Sequence, residues 1–365
     1  MVIDDSAFMR KVVADVLTED GHYEVTDEAR DGIEALEKLA TKRFDVLVLD
    51  INMPRMNGLK FMEALKARHM SEKIIVMSSL AADGGEISIK ALELGALGVI
   101  QKPHNTMEIR DNTFKKEFIA LIDEVSKVSK KDVTKALSMT AIEDIKQNKS
   151  APAKNVNELA KDIKKKENKN GNGQKLVALC SSTGGPGALQ HVVPLLPADL
   201  DAPVLIVQHM PQGFTKSLAD RLDSLSDVHV VEAADGDRLQ KGHVYIARGG
   251  LHMTYSSANG GCISYRDDPP REGVKPCANY MYESLIDSDY DEIVCVVMTG
   301  MGQDGTEGIM HLKEKNNIFC ISQEESTCTV YGMPKAIEKN GLQDVVAPLD
   351  KITSEIVKRI GTSKN

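Results

Sequence analysis

Short apolar runs that stop abruptly at polar or glycine-rich residues and give way to a helical pattern recur along this chain, and that repeat restricts its fold more than any other feature. Val46 to Leu49 ends at Asp50, the run KIIVMSS ends at Ser78 and Ser79, and GVIQKP ends at Lys102 and Pro103. Helical spacing lies between them: Phe8, Val12, Val13 and Val16 after Ser6, then stretches around Ile33 to Leu39, from Leu59, and around Ala91. A short strand is expected around Tyr23 to Val25, and MVIDD supplies a very short apolar start. Continuous apolar strands alternating with helices predict a doubly wound parallel sheet of the α/β class.

In such a sheet the carboxyl ends of neighbouring strands converge in one crevice. Here those ends carry Asp4, Asp5, Asp50, Ser78 and Lys102. Three carboxylates with a lysine suit a hard divalent cation, most plausibly Mg2+, and an anionic group neutralised by both. Taken singly, each has the plainer reading, Asp5 or Ser6 as a helix cap and Lys102 as a solvated end, and it is the joint pattern that points to a site.

The second half repeats the pattern. Leu176 to Leu179 reads as a buried strand that breaks at Ser181, Ser182, Thr183, Gly184 and Gly185, with a helix expected from near Gly187. Pro203 to Val207 ends at Gln208, His209 and Met210, and EIVCVVMTG leads to Gly300, Met301, Gly302, Gln303 and Asp304. A serine, a histidine and an aspartate thus each follow an apolar strand. An imidazole can take a serine's proton, while a carboxylate orients the imidazole and stabilises its charged form. The competing reading is a loop whose serines cap a helix. Asp267 and Asp268 compete with Asp304 but lie in the Pro-rich loop RDDPPREG. His243 and His252 flank the expected strand HVYIARGGLHM, where surface or packing roles suit them.

At 365 residues the chain is long enough for two domains. We expect a first domain over 1–128, closed by a helix in FKKEFIALIDEVSKV, a Lys- and Asn-rich linker over 129–174, and a second domain over 175–365. The net charge of -9 argues against nucleic acid or an anionic membrane as the main partner. The sequence has neither an apolar stretch of membrane-spanning length nor a signal-peptide pattern, so a cytoplasmic protein is expected. All six cysteines lie from Cys180 onward, without metal or dithiol spacing. Cys180 is the one nearest the serine turn, but at the end of a buried strand it should point away from the apex.

The motifs DDS at 4–6, LDINMPRMNG at 49–58, MSS at 77–79 and KP at 102–103 resemble the receiver domain of bacterial response regulators. That resemblance implies a flavodoxin-like fold and phosphorylation of Asp50 by a histidine kinase. It implies Asp5 and Asp50 as Mg2+ ligands with Asp4 helping through water, and Ser78 and Lys102 on the phosphoryl oxygens. The strand before Asp4 is shorter than in most receivers, and Val99 stands where an aromatic residue is common.

SSTGGP at 181–186, QHMPQGFT at 208–215, MTGMGQDGTEG at 298–308 and EESTCTVYGMPKA at 324–336 are similar to the catalytic domain of the chemotaxis protein-glutamate methylesterase family. This second resemblance implies a Rossmann-like domain with Ser182 as nucleophile, His209 as general base and acid, and Asp304 as orienting carboxylate. The backbone amide of Met301 would be an oxyanion donor beside Thr183. It further implies hydrolysis of glutamyl methyl esters, and deamidation of particular glutamines, on the cytoplasmic domain of methyl-accepting chemoreceptors. A chemotaxis histidine kinase would be the phosphoryl donor, and no cofactor is expected in the catalytic domain. Cys180 and Cys277 occupy positions where glycine and serine are usual. The alternatives are a non-catalytic receptor-binding adaptor and a DNA-binding regulator, the latter opposed by the acidic balance and the lack of a basic helix-turn-helix.

Overall fold

The computed structural model describes residues 1–79, 84–103, 113–129, 133, 173–258 and 261–363. Residues 130–132 and 134–172, most of the expected linker, lie outside the described set.

The first sheet is parallel, with strands β1 (Val2–Ile3), β2 (Glu28–Ala29), β3 (Leu47–Asp50), β4 (Ile74–Ser78) and β5 (Gly98–Gln101) in the order β2-β1-β3-β4-β5. This is the flavodoxin-like doubly wound order. Helices α1 (Ala7–Asp20), α2 (Gly32–Leu39), α3 (Gly58–Ala67), α4 (Gly84–Glu93) and α5 (Thr113–Lys127) accompany the strands. Local chemistry starts them: Ser6, Asp31 and Asn57 each accept a backbone amide of the first turn of α1, α2 and α3.

The strand expected at Tyr23 to Val25 is not there. The pairing falls instead at Glu28–Ala29, in register with Val2 and Ile3, and Tyr23 and Val25 pack against the apolar group that includes Phe118, Ile122 and Val125. The alternation Tyr23-Glu24-Val25 serves packing on α5 rather than a sheet face. β1 is only two residues long yet sits between β2 and β3, with Val2 and Ile3 buried.

The second sheet has seven strands in the order β14-β13-β12-β6-β7-β9-β8, all paired in parallel. They are β6 (Lys175–Ser181), β7 (Val204–Gln208), β8 (His229–Glu232), β9 (His243–Ile246), β12 (Glu292–Val297), β13 (Ile318–Gln323) and β14 (Val345–Ala347). The run HVYIARGGLHM does not form one strand. It leaves the sheet after Ile246 and turns at Gly249, where a Cβ would lie 2.5 Å from the carbonyl carbon of Pro211. The rest of the run enters an antiparallel pair, β10 (His252–Ser256) with β11 (Cys262–Arg266). Helices α6 (Gly185–Val192), α7 (Phe214–Leu225), α8 (Ala278–Ser284), α9 (Thr306–Lys315), α10 (Met333–Lys339) and α11 (Leu349–Ile360) complete the domain.

β6 is central, and its Leu176 to Ser181 are all buried. On one side the chain goes to β7, on the other to β12, so the topology reverses beside β6, where α/β sheets open a crevice at their carboxyl edge. The two domains pack together through α4 against α6 and α7, with Arg221 Nε 2.7 Å from Glu93 Oε1. Gly85 allows this close approach, since a Cβ there would fall 2.0 Å from Ser217 Oγ.

Candidate active site

Ser182, His209 and Asp304 follow β6, β7 and β12, three adjacent strands, and so gather at one edge of the sheet. Backbone bonds fix the first two: Ser182 N donates to Thr299 O at 2.9 Å and His209 N to Ser181 O at 3.1 Å. The Gln208 carboxamide clamps them, donating to Ser182 O at 3.0 Å and His209 O at 3.1 Å while accepting from Ser181 Oγ at 2.6 Å. His209 Nε2 lies 2.8 Å from Asp304 Oδ2. Among the described residues its other nitrogen, Nδ1, is buried with no partner. Asp304 therefore holds the Nε2–H tautomer and leaves Nδ1 as the basic nitrogen.

Asp304 is buried, and each of its oxygens accepts two hydrogen bonds. Oδ2 takes His209 Nε2 and the Ala278 amide at 2.6 Å; Oδ1 takes the Asn279 amide at 2.9 Å and Cys277 Sγ at 3.0 Å. Burial by itself opposes the charge, but these donors outweigh it and hold the carboxyl below its ordinary pKa. Asp267 and Asp268 instead pair with Lys275 and Arg266 at the surface.

Ser182 is 8% exposed and adjoins Gly300, where a Cβ would lie 2.7 Å from the serine Cβ. Among the described residues, the backbone amides of Thr183 and Met301 donate to no acceptor. The Thr183 carbonyl accepts from Thr299 Oγ1 at 3.0 Å, and its hydroxyl bonds Glu124 of α5, a residue of the first domain. Cys180 is buried with its sulfur toward Tyr282 Oη at 3.5 Å. Burial, with the nearby Asp304 charge, pushes its thiol well above the ordinary value, so it is inert rather than nucleophilic.

In the first domain Asp4, Asp5 and Asp50 each offer an oxygen within 4.8 Å of the others. Lys102 Nζ bridges Asp4 Oδ2 at 2.7 Å and Asp50 Oδ2 at 2.9 Å. Burial works against the lysine's charge, but two carboxylates outweigh it and raise its pKa. Burial also raises Asp4, and one lysine shared with Asp50 offsets this only in part. The opposite consequences for the two partners follow from the count: one cation serves two anions. Ser78 closes the same strand edge, its hydroxyl 3.4 Å from Ser79 O.

The profile of the CheB methylesterase family matches residues 177–356, and that of the response regulator receiver domain matches residues 1–113. A protein-glutamate methylesterase/protein-glutamine glutaminase from Pyrococcus horikoshii is 40% identical over 99% of this chain and 93% of its own length. The chain belongs to that methylesterase/glutaminase family. Its relative of the same name from Bacillus subtilis is 39% identical over 98% of this chain and 96% of that protein. The crystal structure of the Thermotoga maritima CheB methylesterase catalytic domain superposes with a TM-score of 0.50 at 38% identity, covering 51% of this chain and 99% of that one. Among the described residues no helix is long and apolar enough to cross a membrane.

For this methylesterase-family chain, the residues that sequence reasoning did not single out are Gln208, Asn279 and Glu124. Gln208 had a visible signal, a polar side chain closing an apolar strand beside His209. Asn279 had none, since its role depends on a carboxamide reaching Gly305 N at 3.1 Å and Gly308 N at 2.7 Å across two helices. Glu124 had none either, because its partner belongs to the other domain.

Proposed function

We propose that this chain hydrolyses glutamyl methyl esters on the cytoplasmic domain of methyl-accepting chemoreceptors, and deamidates particular glutamines there, under control of its receiver. The observation that carries the reading is the 2.8 Å bond from His209 Nε2 to Asp304 at the sheet edge that also presents Ser182. In the proposed reaction Ser182 Oγ attacks the ester carbonyl carbon and its proton passes to His209 Nδ1. Asp304 stabilises the resulting imidazolium through Nε2. The amides of Met301 and Thr183 receive the developing oxyanion. Collapse breaks the carbon–methoxy bond, Nδ1 protonates the leaving methoxide, and methanol departs. Water then adds to the acyl-serine by the same proton path and releases glutamate. For a glutamine the leaving group is ammonia.

In the receiver the carboxylates of Asp4, Asp5 and Asp50 fit Mg2+, a hard cation that favours oxygen ligands. Bound there, Mg2+ would neutralise charge around a phosphoryl group on Asp50, supplied by a chemotaxis histidine kinase. Lys102 and Ser78 would hold the phosphoryl oxygens. Control follows from the packing: Glu124 of α5 occupies the hydroxyl of Thr183 beside the shielded Ser182, which supports an unphosphorylated receiver that covers the site and an open arrangement favoured by phosphorylation.

The direct test is methanol release from methylated receptor cytoplasmic domain. Ser182→Ala should nearly abolish it with the fold intact. Release by that variant at the wild-type rate would refute the assignment.

A further inference from the structure

We propose that Cys277 is a positioning residue for the catalytic carboxylate: its thiol, by donating to Asp304 Oδ1, fixes the rotation of the carboxylate that presents Oδ2 to His209. The inference rests on the assignment of Asp304 above but concerns a side chain to which neither resemblance gives a role. Cys277 is buried, and its Sγ lies 3.0 Å from Oδ1. Apart from His209 it is the one side-chain donor to Asp304 among the described residues, the other two being backbone amides.

A carboxylate gripped on one oxygen by a residue that must gain and lose charge has to be held on the other. Without the thiol, Oδ1 keeps only the Asn279 amide, and the carboxylate is held less firmly against the rotation about Cβ–Cγ that lengthens the bond to His209 Nε2. Donors to a buried anion are strong hydrogen bonds, and losing one costs more than a neutral pair does.

The thiol is itself held from behind. The Cys277 amide donates to His252 Nδ1 at 3.1 Å, which makes His252 Nε2 the donor to Pro269 O at 3.2 Å. The buried His252 ring packs on Tyr280 with centroids 4.4 Å apart. His252 thus anchors Cys277, Cys277 anchors Asp304, and Asp304 orients His209. Burial, reinforced by the neighbouring carboxylate, pushes the thiol far above its ordinary pKa, so it stays protonated and able to donate. Cys180 lacks that geometry: its sulfur faces Tyr282.

The test compares full-length Cys277→Ala and Cys277→Ser with wild type. Two readouts are used: kcat and KM for methanol release from methylated receptor cytoplasmic domain, and the far-downfield proton resonance of His209 Nε2–H in NMR. The expected result is a kcat lower by roughly tenfold in Cys277→Ala with KM unchanged, as befits a lost bond to a charged group. The resonance should shift upfield or broaden with it. Cys277→Ser, which keeps a donor on the same carbon, should restore both. The proposal is overturned if Cys277→Ala keeps the wild-type kcat and resonance, or if Cys277→Ser is as impaired as Cys277→Ala, since volume rather than donation would then be the cause. If wild type itself releases no methanol, the assigned activity fails, whereas the resonance comparison still decides the role of Cys277.

Discussion

Asp304 and Asp4 are both buried carboxylates at the carboxyl edge of a parallel sheet, and their surroundings drive them in opposite directions. Asp304 receives four donors and is held ionised; Asp4 has Ser6 N at 2.8 Å and a lysine shared with Asp50, and burial raises its pKa. A raised acid binds its proton more tightly when folded, so its ionised form costs stability at neutral pH, and the fold gains stability as pH falls through the raised value. Asp4→Asn should therefore raise the thermal midpoint at pH 7, with the gain shrinking toward pH 4, while weakening Mg2+ binding. A lower midpoint at pH 7 would show that the Lys102 pair outweighs desolvation. Ser182, His209 and Asp304 were legible in the sequence because each follows an apolar strand. The nitrogen of His209 that faces Asp304 was not, nor was the thiol of Cys277 against Oδ1, because both depend on how a loop remote in sequence folds back.

At the scale of elements, three adjacent parallel strands do the positioning, and the turn after β12 presses on the turn after β6. Gly300 is where they meet: a Cβ there would lie 2.4 Å from Met333 Sδ, 2.7 Å from Ser182 Cβ and 3.0 Å from Ser182 N. The thioether can shift, but the Ser182 backbone cannot without moving the proposed nucleophile. Gly300→Ala should lower turnover by tenfold or more, on the order expected when a reacting group is misplaced, with the far-UV circular dichroism unchanged. Wild-type turnover would mean that the turn has slack. The central parallel strands β3, β4, β6, β7 and β12 were readable as apolar runs because both their faces are covered. The short β2 was not, because register with β1 selects Glu28 and Ala29 over the more strand-like Tyr23 to Val25. The division of HVYIARGGLHM into β9 and β10 was likewise hidden, since the backbone of Pro211 and Gln212 that fills the place of a Gly249 side chain comes from another loop.

For the whole molecule, the proposed control of the site rests on the interface between the domains. The Glu93–Arg221 pair and the Glu124–Thr183 bond both cross it, and neither could be anticipated without the domain packing. The pair is partly exposed and contributes little to stability alone, but a proposed two-state arrangement would need only a few kcal/mol to shift. Glu124→Ala combined with Arg221→Ala should raise the basal activity of the unphosphorylated chain without changing that of the phosphorylated one. An unchanged basal rate would place the inhibition elsewhere. The most direct test is methanol release from methylated receptor cytoplasmic domain by the full chain, measured with and without Mg2+ and a small-molecule phosphoryl donor. We predict slow release that rises on phosphorylation of Asp50 and vanishes in Ser182→Ala under either condition. Release that persists in Ser182→Ala, or a wild-type chain that liberates no methanol even when phosphorylated, would contradict it.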